Sequence, residues 1–375
     1  MQSRLELAAD ICIVGGGPAG SMTALGLARS GHRVIIVNDA GGGQTGLECL
    51  PPSVWPVLEA LGVRSRIQAA QLTPCALTRL RWSSPREEQR INLGSLLVQR
   101  ARLDAILLDA ARDAGARVMP GRHAVRPDWD GSSWHMGGVR ARFLVDAAGR
   151  RGCLPRRRQR LSAPLIALTG TWSGGSLDAP AEMRVEGLRN GWCWAATSGD
   201  SVWEVSVFFD AAVCAGLDRA GRTAAYRAAV AGSTLLAGFR QAAEPIRIRD
   251  ASAWVTDKVM TRRAIRVGDA ALARDPLSSQ GIQSALRVAP WAAAAVDTIL
   301  SGGDTDSAIA GYEAAYHDSA NHHATIAATF YAAGGWRDAS FWRQRSDPWR
   351  GVSTPAQNPA RMAQTHMWTA PSLQG

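Results

Sequence analysis

The sequence predicts an α/β fold: a mostly parallel sheet flanked by helices, with an inserted antiparallel sheet and a helical C-terminal region. Three observations point to it. A β-branched run, Ile11 to Val14, passes straight into a glycine-rich turn and then an apolar helical pattern, the order of a strand–helix–strand unit. Strand-like runs followed by turns of small residues recur near Asp146 and near Gly268. Between those two, over residues 155–255, the pattern changes to period-two alternation rich in tryptophan (Trp172, Trp192, Trp194, Trp203).

Taken in order, "DICIVGGGPAGSMTALGLARSGHRVIIVND" is the first unit. Its strand ends at Gly15-Gly16-Gly17-Pro18-Ala19-Gly20, and Met22, Ala24, Leu25, Leu27 and Ala28 give the helix an apolar stripe. Gly31 stops that helix and Val34 to Val37 form the second strand. Gly15, Gly17 and Gly20 have the G-x-G-x-x-G spacing in its required setting, strand before and helix after. Gly15 makes the tight turn, Gly17 lets the backbone approach a pyrophosphate, and Gly20 lets helix and strand pack closely. With Pro18 and Ala19 between them, they aim the helix N-terminus, rich in free amides, at the phosphates of a dinucleotide. The acidic residue expected at the end of the second strand falls at Asn38, with Asp39 beside it, and either is a candidate for the ribose hydroxyls.

"GLECLPPSVWPVLEALGV", from Gly46 to Val63, reads as a loop and a short amphipathic helix with Trp55, Leu58 and Leu61 inward. "LLVQRARLDAILLDAARDAGARVMPG" is a helix opened by Arg100, whose planar guanidinium suits two phosphate oxygens at once. "ARFLVDAAGRRG" supplies a third strand ending in Asp146-Ala147-Ala148-Gly149-Arg150, small enough for the backbone to pass close to a ligand. "GDAALARDPLSSQGIQS", from Gly268 to Ser284, gathers turn-formers and helix-start signals with almost no bulky side chain.

In this order these passages resemble the FAD-binding motifs of p-hydroxybenzoate-hydroxylase-like monooxygenases, flavin-dependent halogenases and geranylgeranyl-reductase-like enzymes. The resemblance covers residues 9–300 and implies FAD as cofactor, in a Rossmann-like domain of glutathione-reductase type. That domain would be built from 1–75, 95–155 and 255–300, with a substrate domain from 76–94 and 156–254, a helical region at 301–350 and a tail at 351–375. The same resemblance places Arg100 near the FAD phosphates and puts Asp146 and Gly149 in a second fingerprint. In the third, Gly268 begins the turn, Asp269 accepts from ribityl or ribose hydroxyls, and Pro276 lies against the flavin. Amides around Gln280, Gly281 and Ile282 would stabilise negative charge on reduced flavin. Glu48, Pro276 and Gln280 are the candidate catalytic residues, with no metal.

"GWCWAAT", Gly191 to Thr197, and "FYAAGGWRDASFWRQR", Phe330 to Arg345, resemble passages of tryptophan halogenases. Halogenation in that family uses a lysine in the N-terminal third to relay hypohalous acid, whereas the sole lysine of this sequence is Lys258. Halogenation is thereby disfavoured, and "GLECLPPSVWPVLEALG" and "DPLSSQGI" resemble flavoproteins that hydroxylate a peptidyl tryptophan during maturation of tryptophylquinone enzymes. That implies oxygen transfer from a flavin C4a-hydroperoxide to an indole, a tryptophan-containing protein or peptide substrate, and reducing power from NAD(P)H or a flavin reductase. Halogenation of an indole and geranylgeranyl-type reduction are the alternatives. Trp192, Trp194 and Trp254 are candidates for the lining of the active site.

The bulk properties bound these readings. A chain of 375 residues is long enough for two domains. Its net charge of +10, nearly all arginine, favours an acidic partner or anionic cofactor. The arginines lack the aromatic interleaving of a nucleic-acid module, so no nucleic-acid partner is expected. Six scattered cysteines without a C-x-x-C pair fit a reducing compartment, and "MQSRLELAAD" has no apolar signal core; a cytoplasmic location without a membrane span is expected. His317, His322 and His323 read as one partly exposed helix, and Arg156 to Arg160 ("RRRQR") as a solvated turn.

Overall fold

The computed structural model describes residues 7–38, 45–84, 86–120, 126–199 and 201–347. Two seven-stranded sheets organise it, and the fold is mixed α/β. Asp39 and the tail at 351–375 lie outside the described residues.

The first sheet runs Arg117–Pro120, Val34–Asn38, Leu7–Val14, Val139–Asp146, Trp134–Met136 and Asp128–Trp129, and Ala264–Arg266 pairs with Val139–Asp146. Five of these strands are parallel, and Ile11, Ile13, Ile36, Phe143 and Val145 are buried, as expected where helices cover the sheet. Register matters most for function. Val14 lies opposite both Val37 and Asp146, and Asp146 lies opposite Arg266. The carboxyl ends of four strands distant in sequence are therefore level, and the turns that follow them meet at one edge of the sheet.

Three helices, Pro18–Arg29, Arg100–Asp113 and Gly281–Leu300, pack their apolar residues with this sheet in one large core. Each fully buried Leu or Ile contributes roughly 1.5–3 kcal/mol of apolar transfer. Leu58 and Leu61 join this core and Trp55 packs against it.

The second sheet runs Phe239–Asp250, Leu165–Gly174, Val202–Asp210, Gly191–Thr197, Glu182–Leu188, Leu77–Arg81 and Gln89–Ile91. The expected antiparallel pattern holds except at one junction, where Glu182–Leu188 and Leu77–Arg81 run parallel. Those two segments are joined by a long excursion through the first sheet, and a parallel pair needs such a crossover. One face of the sheet packs on Tyr226 and Val230 of the helix Arg219–Ala231. The other face carries an aromatic cluster of Trp82, Trp192, Phe208, Tyr331, Phe341 and Trp342.

"RRRQR" is not a turn. Arg158–Arg160 is an exposed strand paired with Trp254–Thr256, and the Arg156 and Arg158 guanidinium groups lie 5.2 and 4.2 Å from the centre of the Trp254 ring. The segment is solvent-exposed as expected, but the ladder to Trp254–Thr256 and cation–π contact with Trp254 hold it as a strand and not a turn. The three histidines lie on one partly exposed helix, Thr305–Ala332, as expected: His317 is half-buried, His322 exposed and His323 fully buried. Among the described residues, no helix is long and apolar enough to cross a membrane.

Candidate functional site

The first strand delivers Gly15 to the level edge of the sheet. Its φ is +110°, and a Cβ there would lie 2.3 Å from the Ala147 carbonyl oxygen. At Gly20 a Cβ would lie 2.0 Å from the Gly15 oxygen. Both positions are closed to any side chain, which presses the first turn against the second one at Ala147. On the outward side the situation reverses: a Cβ on Gly17 would have only Arg100 Nη2 near it, at 3.6 Å, and one on Gly149 or Gly281 would meet nothing within 4 Å. The helix Pro18–Arg29 has neither a side-chain cap nor an acidic residue in its first turn, so its leading amides stay available to an anion.

Asn38 is placed at this edge, but its side chain faces the turn. Its Oδ1 accepts the Gly16 amide at 3.0 Å, which fastens the glycine turn instead of reaching outward to a ribose. Asp146 differs from expectation in the same way. It is fully buried and accepts from the amides of Ala148, Cys153 and Leu154 at 3.2, 3.0 and 3.1 Å, so it shapes the second turn from within and presents no oxygen to a ligand.

Arg100 stands at the start of its helix and leans over the glycine turn. Its Nε donates to Asp104 Oδ1 at 2.7 Å and its Nη1 lies 3.4 Å from Glu48 Oε1. Pairing of Leu47–Leu50 with Leu96–Gln99, Glu48 opposite Val98, is what sets the two side by side. Burial pushes the Glu48 carboxyl up from its ordinary value, and the Arg100 charge offsets part of that rise.

The third motif closes the ring. A Cβ on Gly268 would lie 2.8 Å from the Ala19 Cβ, so this turn packs on the first helix. Asp269 keeps 35% of its side chain exposed, 3.5 Å from Arg150 Nε. Arg150 also donates to the carbonyls of Ser252 and Arg274, at 2.7 and 3.1 Å, and so ties the second turn to the third. It stood within the "DAAGR" passage without being singled out. Pro276 opens a short 3-10 turn, Pro276–Ser278, and Gln280 starts the helix Gly281–Leu300 without a side-chain cap. Pro276 and Gln280 are half-buried and Gly281 is exposed, whereas the Ile282 side chain is in the core and leaves only its amide to the edge. Gln283 Nε2 donates to the Ser53 carbonyl at 2.8 Å and fixes that helix start to the loop after Glu48.

The edge of the first sheet thus collects Gly15, Gly17, Pro18, Ala19, Gly20, Arg100, Glu48, Gly149, Asp269, Pro276, Gln280 and Gly281. Two open helix N-termini, a half-buried guanidinium and a glycine-lined groove suit a molecule with a diphosphate at one end and an anion-forming ring at the other. FAD has that chemistry, and the open sides of Gly17, Gly149 and Gly281 leave room for it.

Above this edge lies the second sheet. Glu204 pairs with Arg247 of the same sheet at 3.0 Å and accepts from the Leu47 amide at 3.3 Å, which ties the second sheet to the strand that carries Glu48. Thr169, Ser206, Trp194 and Arg247 fall in one cross-strand row, with Thr169 and Ser206 hydroxyls 2.8 Å apart. Of the three tryptophans considered for the site, Trp192 is stacked on Phe208 at 3.8 Å and Trp254 is buried under arginines. Only Trp194 keeps a partly open side. Lys258 is exposed on the loop after Trp254–Thr256.

Asp275 and the two residues that grip it, His323 and Tyr331, were not anticipated. The Asp-Pro pair at 275–276 was the one signal for Asp275; nothing in the local sequence marks the other two.

The tryptophan halogenase family model matches residues 41–351. A tryptophan 2-halogenase of Chondromyces crocatus is 28% identical, over 90% of this chain and 71% of that protein. Among solved structures, CmlS, a flavin-dependent halogenase, has a TM-score of 0.77 and 25% identity, covering 96% of this chain and 70% of its own. QhpG, a peptidyl tryptophan dihydroxylase essential for tryptophylquinone cofactor biogenesis, has a TM-score of 0.78 and 28% identity, covering 92% and 80%.

Proposed function

The chain belongs to the tryptophan halogenase family, and on that premise we propose that it is an FAD-dependent monooxygenase that hydroxylates a tryptophan side chain of a precursor protein. FAD is the cofactor, and when bound and reduced it supplies two electrons and the means to activate dioxygen. One oxygen atom enters the indole in place of hydrogen, and the other leaves as water.

The chain's own residues account for binding and orientation. Amides at Gly17, Ala19 and Gly20 and the Arg100 guanidinium hold the diphosphate. Asp269 holds a sugar or ribityl hydroxyl. Amides at Gln280, Gly281 and Ile282 stabilise charge on the reduced ring, and Pro276 limits its movement. The aromatic cluster around Trp192 and Trp342 excludes water from one side of the site. Trp194, Thr169 and Ser206 offer an incoming indole an aromatic edge and two hydroxyls.

The observation that carries hydroxylation over halogenation is the lysine count. The one lysine side chain, Lys258, is exposed on a loop, and the cradle's cationic side chains are all arginines, which cannot give up a proton to form a chloramine-like relay. The QhpG likeness supports the same reading. Halogenation of an indole is the second reading, favoured by the Chondromyces crocatus relative. Reducing power would come from NAD(P)H through a flavin reductase.

The deciding experiment supplies the FAD-loaded protein with a flavin reductase, NADH, air and a tryptophan-containing precursor peptide, with and without bromide. Mass spectrometry should show a gain of one or two oxygen atoms on tryptophan, unchanged by bromide. A brominated product would establish halogenation instead. A product saturated by two hydrogens, with no oxygen consumed, would sink both readings.

A further inference from the structure

One face of the long helix Thr305–Ala332 runs along the segment that carries the third cofactor motif. Tyr312 donates to the Arg266 carbonyl at 2.8 Å, and Tyr316 reaches the backbone at Gly268. Arg274 Nη2 donates to Ser319 Oγ at 2.6 Å. The Asp275 amide donates to His323 Nε2 at 2.8 Å, and the Tyr331 hydroxyl lies 3.0 and 3.2 Å from the two Asp275 carboxylate oxygens. Positions 312, 316, 319, 323 and 331 recur at helical spacing, so one side of the helix makes all of these contacts.

Asp275 is the residue immediately before the flavin-facing turn. It is 1% exposed, and its Oδ1 also accepts the Leu277 amide at 3.0 Å. The turn is thus tied to Asp275 from inside, and Asp275 is tied to the helix from outside. Ser279 completes the turn at φ 48°, a left-handed conformation unfavourable for a non-glycine residue. Burial of a carboxylate here is also unfavourable without donors. The Leu277 amide supplies one donor to that carboxylate from within the turn, and Tyr331 supplies the other from the helix.

We propose that Tyr331 and His323 are positioning residues for the cofactor: by holding Asp275 they set the turn through Gln280, and with it the direction of the amides that face the flavin. The inference rests on the assignment of FAD made above. A displaced turn would rotate the helix start at Gly281, and those amides would then stabilise negative charge on the reduced ring less well.

The test uses the FAD-loaded full chain with four variants: Tyr331→Phe, His323→Leu, His323→Gln and, on the exposed side of the same helix, Thr329→Ala. Tyr331→Phe and His323→Leu should keep FAD affinity within about threefold, because the phosphate contacts are untouched. They should lower the midpoint potential of the bound flavin and change the shape of its absorption band. Loss of one positioning hydrogen bond should lower kcat roughly tenfold with KM little changed. His323→Gln, which keeps an acceptor for the Asp275 amide, should restore the potential, and Thr329→Ala should leave it as in the wild type.

Equal potentials and spectra in the wild type, Tyr331→Phe and His323→Leu would overturn the proposal, as would a shift that Thr329→Ala reproduces. If His323→Leu does not fold, Tyr331→Phe decides alone, since it removes a single oxygen atom. Potential and spectrum require only bound flavin. A chain that binds FAD yet modifies no indole therefore refutes the proposed reaction and leaves this comparison decisive, whereas a chain that binds no FAD refutes both.

Discussion

His323 shows how much one side chain can carry. Because its Nε2 accepts the Asp275 amide, that nitrogen must be unprotonated in the folded state. Burial, with Arg274 and His322 nearby, pushes its pKa from 6.5 down to about 3. A base whose folded pKa is depressed stabilises the fold fully above its unfolded pKa and loses that contribution as pH falls. The window therefore runs from about pH 6.5 down to about pH 3, and the amount is on the order of a few kcal/mol. Urea titrations across that window should show a steep loss of stability in the wild type and a shallower one in His323→Gln. Gly281 provides a second test at this scale. An added methyl group meets open space, so Gly281→Ala should raise the stability of the FAD-free protein by up to about 1 kcal/mol while weakening FAD binding several-fold. Unchanged FAD affinity in that variant would remove Gly281 from the cradle.

Among the elements, the short C-terminal helix Ser340–Ser346 does more than its length suggests. Trp342 is fully buried, donates to the Leu188 carbonyl at 2.9 Å and packs on Gly187 and Gly334. Arg345 is also buried and reaches the carbonyl of Pro164 and the carboxylate of Asp210 at 2.7 and 3.1 Å. This helix seals the aromatic end of the second sheet against water. Trp342→Ala should cost about 3–5 kcal/mol through the cavity it leaves. Hydrogen exchange should rise chiefly at the Leu188 end of its strand and along the tyrosine end of the long helix, with the glycine-turn amides unaffected. Uniform loss of protection would show that the two sheets unfold as one unit.

At the scale of the whole molecule, cofactor and fold are coupled. The cradle draws on turns near residues 15, 100, 149 and 269, brought level by strand register, so a ligand there clamps segments that are far apart in the chain. FAD at a hundredfold excess over its Kd should add about 2.7 kcal/mol to stability, seen as a concentration-dependent rise in Tm. A Tm indifferent to FAD would contradict the assembled site.

How much of this was legible beforehand follows the range of the forces involved. Gly15, Gly20 and Gly268 could be recognised from sequence, because backbone close approach demands glycine whatever surrounds it, and the strand and helix patterns on either side are local. Arg100 could be recognised because a motif surrounds it. The inward turn of Asn38 and Asp146, the burial of His323, the strand at Arg158–Arg160 and the parallel pairing of Glu182–Leu188 could not. Each depends on a partner supplied by a distant segment, such as Gly16 for Asn38 or Asp275 for His323, and spacing along the chain carries no record of such a partner. By itself the sequence determined the mixed α/β fold and the glycine turns of the cradle. Only the tertiary structure decided which polar side chains face the ligand and which are used up holding the turns, because hydrogen-bond partners are chosen by proximity in space.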